Sequence, residues 1–539
     1  MKDQEKLVYP ISGLVTETFY DPKSKEVVSV AVYRGIPYAD AERFRESTVR
    51  ENVPEKLPIL PATPHFPQPN EFNLSNWLTL PRTLKKEHVT YASETDPLYL
   101  NIFTKQNHLK NKPVILYVHG GSLLIGGASS YDGHALAAIG DVIFVSINYR
   151  LGSFGTMFGG NWALSDVLSA LEWVQLHIEK FGGDKENVTL MGYSAGGMIV
   201  DHLMSSPRSK GLFHRAIAMS GNASSAWTWT RDEKKENNMR RLKKILGEDD
   251  DEKVREKVTK MPFEEFLRKI EYPAWTEPDY FYWTFCTGES DSILPSFPYA
   301  DLEESFKMDI PYMMGRTNDE GCYSMSFYHH PKFLEGLSKE DFQEVVIRTA
   351  KGRRMIPEIL PEEKYPEIIE EYFGSGFDKS DQFYYTKIFG KWFGEMEIGI
   401  GIEARARSMK NAFVYRNSYK PLFAKNDSYR GELTSNRPDW SKTDHGDCYI
   451  FIFGISFYEE NAQNVQFPNK EKDLSLQWIE NLTHFATFGK PKDPNWKPFF
   501  ESGERMKIGE DGVSSFEKMS EEDKKYEEYF EKFMKPLFK

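Results

Sequence analysis

The chain has 539 residues, 40% of them hydrophobic and 28% charged, an ordinary globular composition without the bias of disordered or low-complexity segments. A formal net charge of −13 argues against nucleic acid as a partner, because neutralising phosphates takes Lys and Arg clustered on one face. No run of about 18 uninterrupted apolar residues occurs, so no membrane span is expected.

The opening Met1-Lys2-Asp3-Gln4-Glu5-Lys6-Leu7 is charged and lacks the apolar stretch of a secretory signal. The closing Lys535-Pro536-Leu537-Phe538-Lys539 carries no retention or lipidation signal. The expected location is cytoplasmic. Three cysteines, Cys286, Cys322 and Cys448, fall short of a disulfide framework and fit a reducing compartment. In that setting the sequons Asn222-Ala223-Ser224 and Asn481-Leu482-Thr483 are chance matches.

Along the chain, short β-rich apolar runs alternate with helical patterns. Residues 114–118, 142–147, 188–191 and 412–415 are the clearest strands. Between the second and third, Leu164, Val167, Leu168, Leu171, Val174 and Ile178 recur at helical spacing. This order predicts an α/β fold with a mostly parallel central sheet flanked by helices. Residues 230–260 are densely charged and peak in Glu248-Asp249-Asp250-Asp251-Glu252, which predicts a solvated face within an insertion. From Ser520 the pattern predicts an amphipathic helix with Tyr526, Tyr529, Phe530 and Phe533 on its apolar side.

Two segments carry chemistry. Gly192-Tyr193-Ser194-Ala195-Gly196 is the one G-x-S-x-G in the chain and joins the strand 188–191 to a helical stretch beginning at Ala195. Small flanking residues let the chain turn sharply and present the Ser194 hydroxyl, while the helix N-terminus favours developing negative charge. The strand 114–118 runs straight into His119-Gly120-Gly121-Ser122. Acyl transfer builds a tetrahedral oxyanion, and backbone N–H groups of such a loop can meet it. Gly121, Ser122 and Ala195 are the expected donors.

With these motifs, the chain resembles the type-B carboxylesterase and cholinesterase family. Gly35-Ile36-Pro37-Tyr38-Ala39, Leu98-Tyr99-Leu100-Asn101-Ile102, Asn148-Tyr149-Arg150-Leu151-Gly152, Phe181-Gly182-Gly183-Asp184, and Trp478 with Phe485-Ala486 are similar to its segments, over roughly residues 10–500. The resemblance implies the α/β-hydrolase fold with long insertions, and a catalytic acid and base following the serine in Asp-Glu-Gly and His-Gly segments. Here these are Asn318-Asp319-Glu320-Gly321, after the apolar 310–314, and Thr443-Asp444-His445-Gly446-Asp447. The residues alone do not separate Asp319 from Glu320; the resemblance selects Glu320, together with His445. A serine hydroxyl needs a neutral imidazole to take its proton and a carboxylate to orient that imidazole. Three members scattered from 194 to 445 imply one catalytic domain, 1–539, with helical insertions.

The sequence also departs from the family. Pro97 stands where secreted members resemble one another in a cysteine, and no cysteine precedes Cys286. All three cysteines are therefore expected as thiols, with Cys322 and Cys448, each within three residues of a triad position, the pair to watch. Tyr193 stands where Glu is frequent, and the nearest tryptophan upstream of Pro97 is Trp77, which argues against choline esters. Ser122 replaces a glycine of the oxyanion loop and adds a Cβ that restricts φ. The implied function is hydrolysis of uncharged carboxylic esters through an acyl-enzyme on Ser194, with a small-molecule ester as partner and no cofactor or metal. Acyl transfer to a sugar or other alcohol is the alternative, and an inactive adhesion relative the more distant one.

Overall fold

The computed structural model describes residues 13–68, 90–107, 110–225, 232–271, 284–287, 292–297, 299, 307–321, 330–353, 360–398, 400–421, 440–457 and 467–538. The chain divides into two compact units. The first comprises Met1–Leu190, Ser206–His214 and Thr228–Pro295, and the second Met191–Ser205, Arg215–Trp227 and Ser296–Lys539.

In the first unit the strands are β1 (Val15–Asp21), β2 (Glu26–Pro37), β3 (Ala39–Asp40), β4 (Thr48–Val49), β5 (Tyr99–Lys105), β6 (Lys112–Val118), β7 (Ile143–Ile147) and β8 (Gly183–Tyr193), whose last three residues enter the second unit. Apart from the small β3–β4 ribbon, the order is β1-β2-β5-β7-β6-β8. The outer strands β1, β2, β5 and β7 pair antiparallel, whereas β6 and β7 pair parallel with Val114 opposite Ile143. All five residues of β7 are buried, as expected of a strand covered on both faces. Helix α1 (Trp162–His177) buries Leu164, Val167, Leu168, Leu171 and Val174, the periodic set read from the sequence. Its Asp166 forms a buried ion pair with Arg150, 2.7 Å to the guanidinium, and also accepts the Arg150 backbone N–H at 2.9 Å. That contact gives Arg150 of the Asn148-Tyr149-Arg150 segment a structural role.

The charged stretch forms two helices, Asp232–Leu246 and Asp251–Lys260. Leu242, Val254 and Val258 face inward while most of the charge stays in water. Asp250 caps the second helix by accepting the Lys253 N–H at 2.9 Å, so the acidic run is divided between a cap and a first turn, where negative charge is favourable.

A buried cation also sits in this unit. The His134 imidazole lies against Asp132 through Nδ1 and 3.1 Å from Glu17 through Nε2, and Glu17 also pairs with Arg34. Burial opposes the imidazolium, but the two carboxylates outweigh it and raise His134 to about 9. Burial likewise opposes the Glu17 carboxylate, yet His134 and Arg34 hold it at about 2. A histidine raised on folding contributes stability that is complete below its unfolded pKa of about 6.5 and is lost as pH rises through the folded value. Chemical denaturation is therefore expected to show about 2 kcal/mol less stability at pH 9.5 than at pH 7 from this site. His134→Gln should flatten that alkaline dependence.

In the second unit, β9 (Arg215–Met219), β10 (Tyr312–Thr317), β11 (Ala412–Asn417) and β12 (Glu504–Ile508) pair parallel in that order, and β13 (Ser514–Lys518) closes the edge antiparallel. The principal helices are α2 (Ala195–Met204), α3 (Tyr384–Ile398), α4 (Ile402–Arg407), α5 (Asn469–Phe488) and α6 (Glu521–Tyr529). Helix α5 buries Trp478, Phe485 and Ala486, and the Trp478 ring meets Tyr415 of β11 edge-on at 4.9 Å. Helix α6 starts at a reciprocal Ser520–Asp523 capping box and buries Tyr526 and Tyr529, with Phe530 and Phe533 just beyond.

Candidate active site

Ser194 occupies the single position between β8 and α2, with φ 56° and ψ −126°. An L-residue is strained there, and the turn persists because its surroundings over-determine it. The Ser194 N–H donates to the Met219 carbonyl at 2.8 Å, and its own carbonyl accepts the Met198 N–H at 3.0 Å. A Cβ on Gly192 would lie 2.2 Å from the Gly196 carbonyl oxygen, and one on Gly221 would lie 2.1 Å from the Ser194 carbonyl oxygen. The small residues of the motif are thus required by close approach of backbone to backbone.

The Ser194 Oγ lies 2.8 Å from Nε2 of His445, and Nδ1 of that ring lies 2.6 Å from Oε2 of Glu320. Because Nδ1 faces a carboxylate it carries the ring proton, which leaves Nε2 free to accept from the serine hydroxyl. The other Glu320 oxygen accepts the Thr317 N–H at 2.6 Å. Burial alone would raise the Glu320 carboxyl, but the His445 hydrogen bond and charge, with the Thr317 N–H, hold it below the ordinary carboxylate range.

Asp319, adjacent in sequence, is turned elsewhere: its carboxylate lies 3.6 Å from the Lys391 ammonium, while its backbone N–H donates to the Thr443 carbonyl at 3.1 Å. The geometry therefore separates the two carboxylates that the residues alone left equivalent. The Tyr193 ring packs against the His445 imidazole with centroids 5.3 Å apart. Burial, followed by the charge of Glu320, raises its phenol well above the ordinary value, so it stands beside the imidazole as a neutral wall.

Helix α2 is anchored from behind. Asp201 accepts from the Ala223 N–H at 3.0 Å, from the Tyr299 hydroxyl at 3.1 Å and from Arg405 Nε at 3.2 Å, and Arg405 also donates to Ser205 Oγ. Both members of this ion pair are fully buried, so removing either would strand a charge. No sequence motif pointed to this pair, whose members lie 204 residues apart.

Of the expected oxyanion donors, Ala195 is the first residue of α2. Gly121 and Ser122 lie in the first unit, in the turn after β6, where the Gly121 carbonyl accepts the N–H groups of Leu124 and Ile125. Gly121 has φ 110° and Ser122 φ 57°, so Ser122 takes up a left-handed conformation that a glycine would adopt without strain. Among the described residues, Cys286 and Cys448 are buried and in no disulfide. Cys322 and Trp77 lie outside the described residues. Burial, then Glu320, pushes the Cys448 thiol well above its usual range, which leaves it inert as a nucleophile. No group of three His, Cys, Asp or Glu among the described residues is placed to hold a metal ion, and no described helix is long and apolar enough to cross a membrane.

The carboxylesterase family model matches residues 8–528. The chain belongs to the carboxylesterase family. Its fold is the α/β hydrolase, and its chemistry is serine carboxylic-ester hydrolysis. This carboxylesterase is 30% identical to Carboxylesterase 3 of Homo sapiens over 444 residues, covering 78% of this chain and 73% of that one. It is 31% identical to Carboxylesterase 3B of Mus musculus over 442 residues, covering 77% and 71%. Against Carboxylesterase 1D of Rattus norvegicus it is 28% identical over 507 residues, covering 89% and 85%. The family match runs past residue 500 into the capped helix α6 of this carboxylesterase, beyond the span that the sequence motifs delimit.

Proposed function

We propose that this carboxylesterase hydrolyses uncharged carboxylic esters through an acyl-enzyme on Ser194, with His445 as general base and then general acid, and Glu320 as the carboxylate that orients it. The unbroken hydrogen-bond chain from Ser194 through His445 to Glu320 carries this reading. As Oγ attacks the ester carbonyl, its proton passes to Nε2, and the buried Glu320 carboxylate stabilises the imidazolium. The Ala195 N–H, at the head of α2, favours the oxyanion. Collapse of the tetrahedral species breaks the bond to the alcohol, which leaves with the proton from Nε2. Water, deprotonated by the same nitrogen, then attacks the acyl carbon and releases the acid.

The organisation we propose is one catalytic domain over the full chain, supported by a family match that spans residues 8–528. A reducing, cytoplasmic setting is supported by the two buried thiols and by the burial of both sequon asparagines. Asn222 accepts from Ser224, and Asn481 accepts from the Lys492 N–H, which leaves neither amide room for a glycan.

Hydrolysis and acyl transfer share the acyl-enzyme and differ in acceptor. The expected result is steady release of free acid from an aryl acetate or butyrate at neutral pH, undiminished when a sugar or small alcohol is added. New ester with free acid at background would assign an acyltransferase instead.

A further inference from the structure

Two carboxylates, Asp319 and Glu320, stand side by side in the turn after β10, and only one faces the imidazole. The cause lies in helix α3. Lys391 is buried, and its ammonium donates to the Asn318 carbonyl at 2.5 Å and lies 3.6 Å from Asp319. The turn is held from other sides as well. The Asn318 N–H donates to the Asn417 carbonyl at 2.8 Å, and Arg416 Nε lies 3.3 Å from Asn318 Oδ1.

The groups facing Lys391 come from every element packed on it. They are Asp319 from the turn, Glu395 from its own helix at 3.6 Å, Arg316 from β10, Arg416 from β11, and Glu522 with the Tyr526 ring from α6, the ring centroid being 5.6 Å away. Burial draws the ammonium below the ordinary lysine range, and the Asp319 carboxylate acts against that. Arg316 and Arg416 are direct partners in the parallel register, and Glu395, Glu403 and Asp523 surround them at up to 4.0 Å. These acids engage the arginines, Glu395 is shared with Lys391, and the Lys391 ammonium meets Asp319.

Resting on the reading of Ser194, His445 and Glu320 above, we propose that Lys391 is a positioning residue of the reaction: its ammonium captures Asp319 and the Asn318 carbonyl, so that Glu320 alone addresses His445. The Asp319 backbone is hydrogen-bonded to Thr443, two residues before His445. An Asp319 carboxylate without its cation leaves uncompensated negative charge on a turn that is bonded to the segment carrying the imidazole, and uncompensated negative charge favours the imidazolium. The imidazole then gives up its proton at a higher pH, and the serine loses its base over part of the working range.

The test is the pH profile of kcat/KM for 4-nitrophenyl butyrate on the full chain. Lys391→Met should lower kcat about tenfold with KM held within about twofold, and should move the acid limb upward by about half a pH unit. Adding Asp319→Asn to that variant should return the limb, and Lys391→Arg should preserve it. An unmoved limb in folded Lys391→Met, or a limb still displaced in the double variant, overturns the proposal. If Lys391→Met does not fold, Lys391→Gln takes its place. If neither folds, Asp319→Asn alone, which leaves the ammonium unopposed, must move the limb downward, and an upward or absent shift overturns the proposal. Ser194→Ala in parallel separates the two readings, because persistent hydrolysis there defeats the acyl-enzyme reading itself, whatever the lysine variants do.

Discussion

Ser194→Ala is expected to bring hydrolysis of an aryl butyrate to background, a loss of about 10⁴ or more in kcat, and to abolish covalent labelling by a fluorophosphonate probe. The size of the effect follows from the geometry. The hydroxyl lies 2.8 Å from His445 Nε2, and without it the imidazole has no serine nucleophile to activate. Labelling is the sharper of the two measurements, because a phosphonyl group reports the nucleophile itself. An alanine at φ 56° keeps the same Cβ and the same strain as serine, so the fold has no reason to change. His445→Ala should cost about as much as Ser194→Ala, since members of such a unit act together. Persistent labelling of the alanine variant would remove Ser194 from the reaction.

The parts of this site that rest on local pattern were legible in the sequence. The elbow could be read because a strand, two glycines and a helix start must be contiguous to make that turn. The strands 114–118 and 142–147 could be read because a strand covered on both faces is a continuous apolar run. What depends on partners far along the chain was not legible. β8 begins at Gly183, well before the apolar 188–191, and its residues 184–187 are polar and partly exposed, so no apolar run marks them as strand. Arg316, Arg416 and Arg505 lie buried on adjacent strands, where sequence pattern assigns arginine to solvent. Their burial is tolerable only because α3, α4 and α6 bring Glu395, Glu403 and Asp523 to them. The identity of the acid belongs to the same class: neighbouring Asp and Glu are chemically alike, and the choice between them is made by Lys391, more than seventy residues later.

That choice can be measured directly. Glu320→Gln is expected to fold normally and to lower kcat by roughly 10³ to 10⁴, while Asp319→Asn should cost less than about tenfold. Gln fills the volume of Glu320 and can still accept the Thr317 N–H. Opposite His445 Nδ1, however, it presents no charge to stabilise the imidazolium, and its amide can turn an N–H toward the ring and force the proton onto Nε2. In that tautomer the nitrogen facing Ser194 cannot accept the hydroxyl proton. Asn at 319 keeps the backbone bond to Thr443 and loses an ion pair with Lys391, which perturbs the turn without touching the imidazole. The two substitutions are isosteric and adjacent, so denaturation midpoints measured alongside the kinetics separate lost chemistry from lost structure. If Asp319→Asn proves the more damaging at equal stability, the acid is Asp319 and the orientation of the turn described here is not the one that works in catalysis.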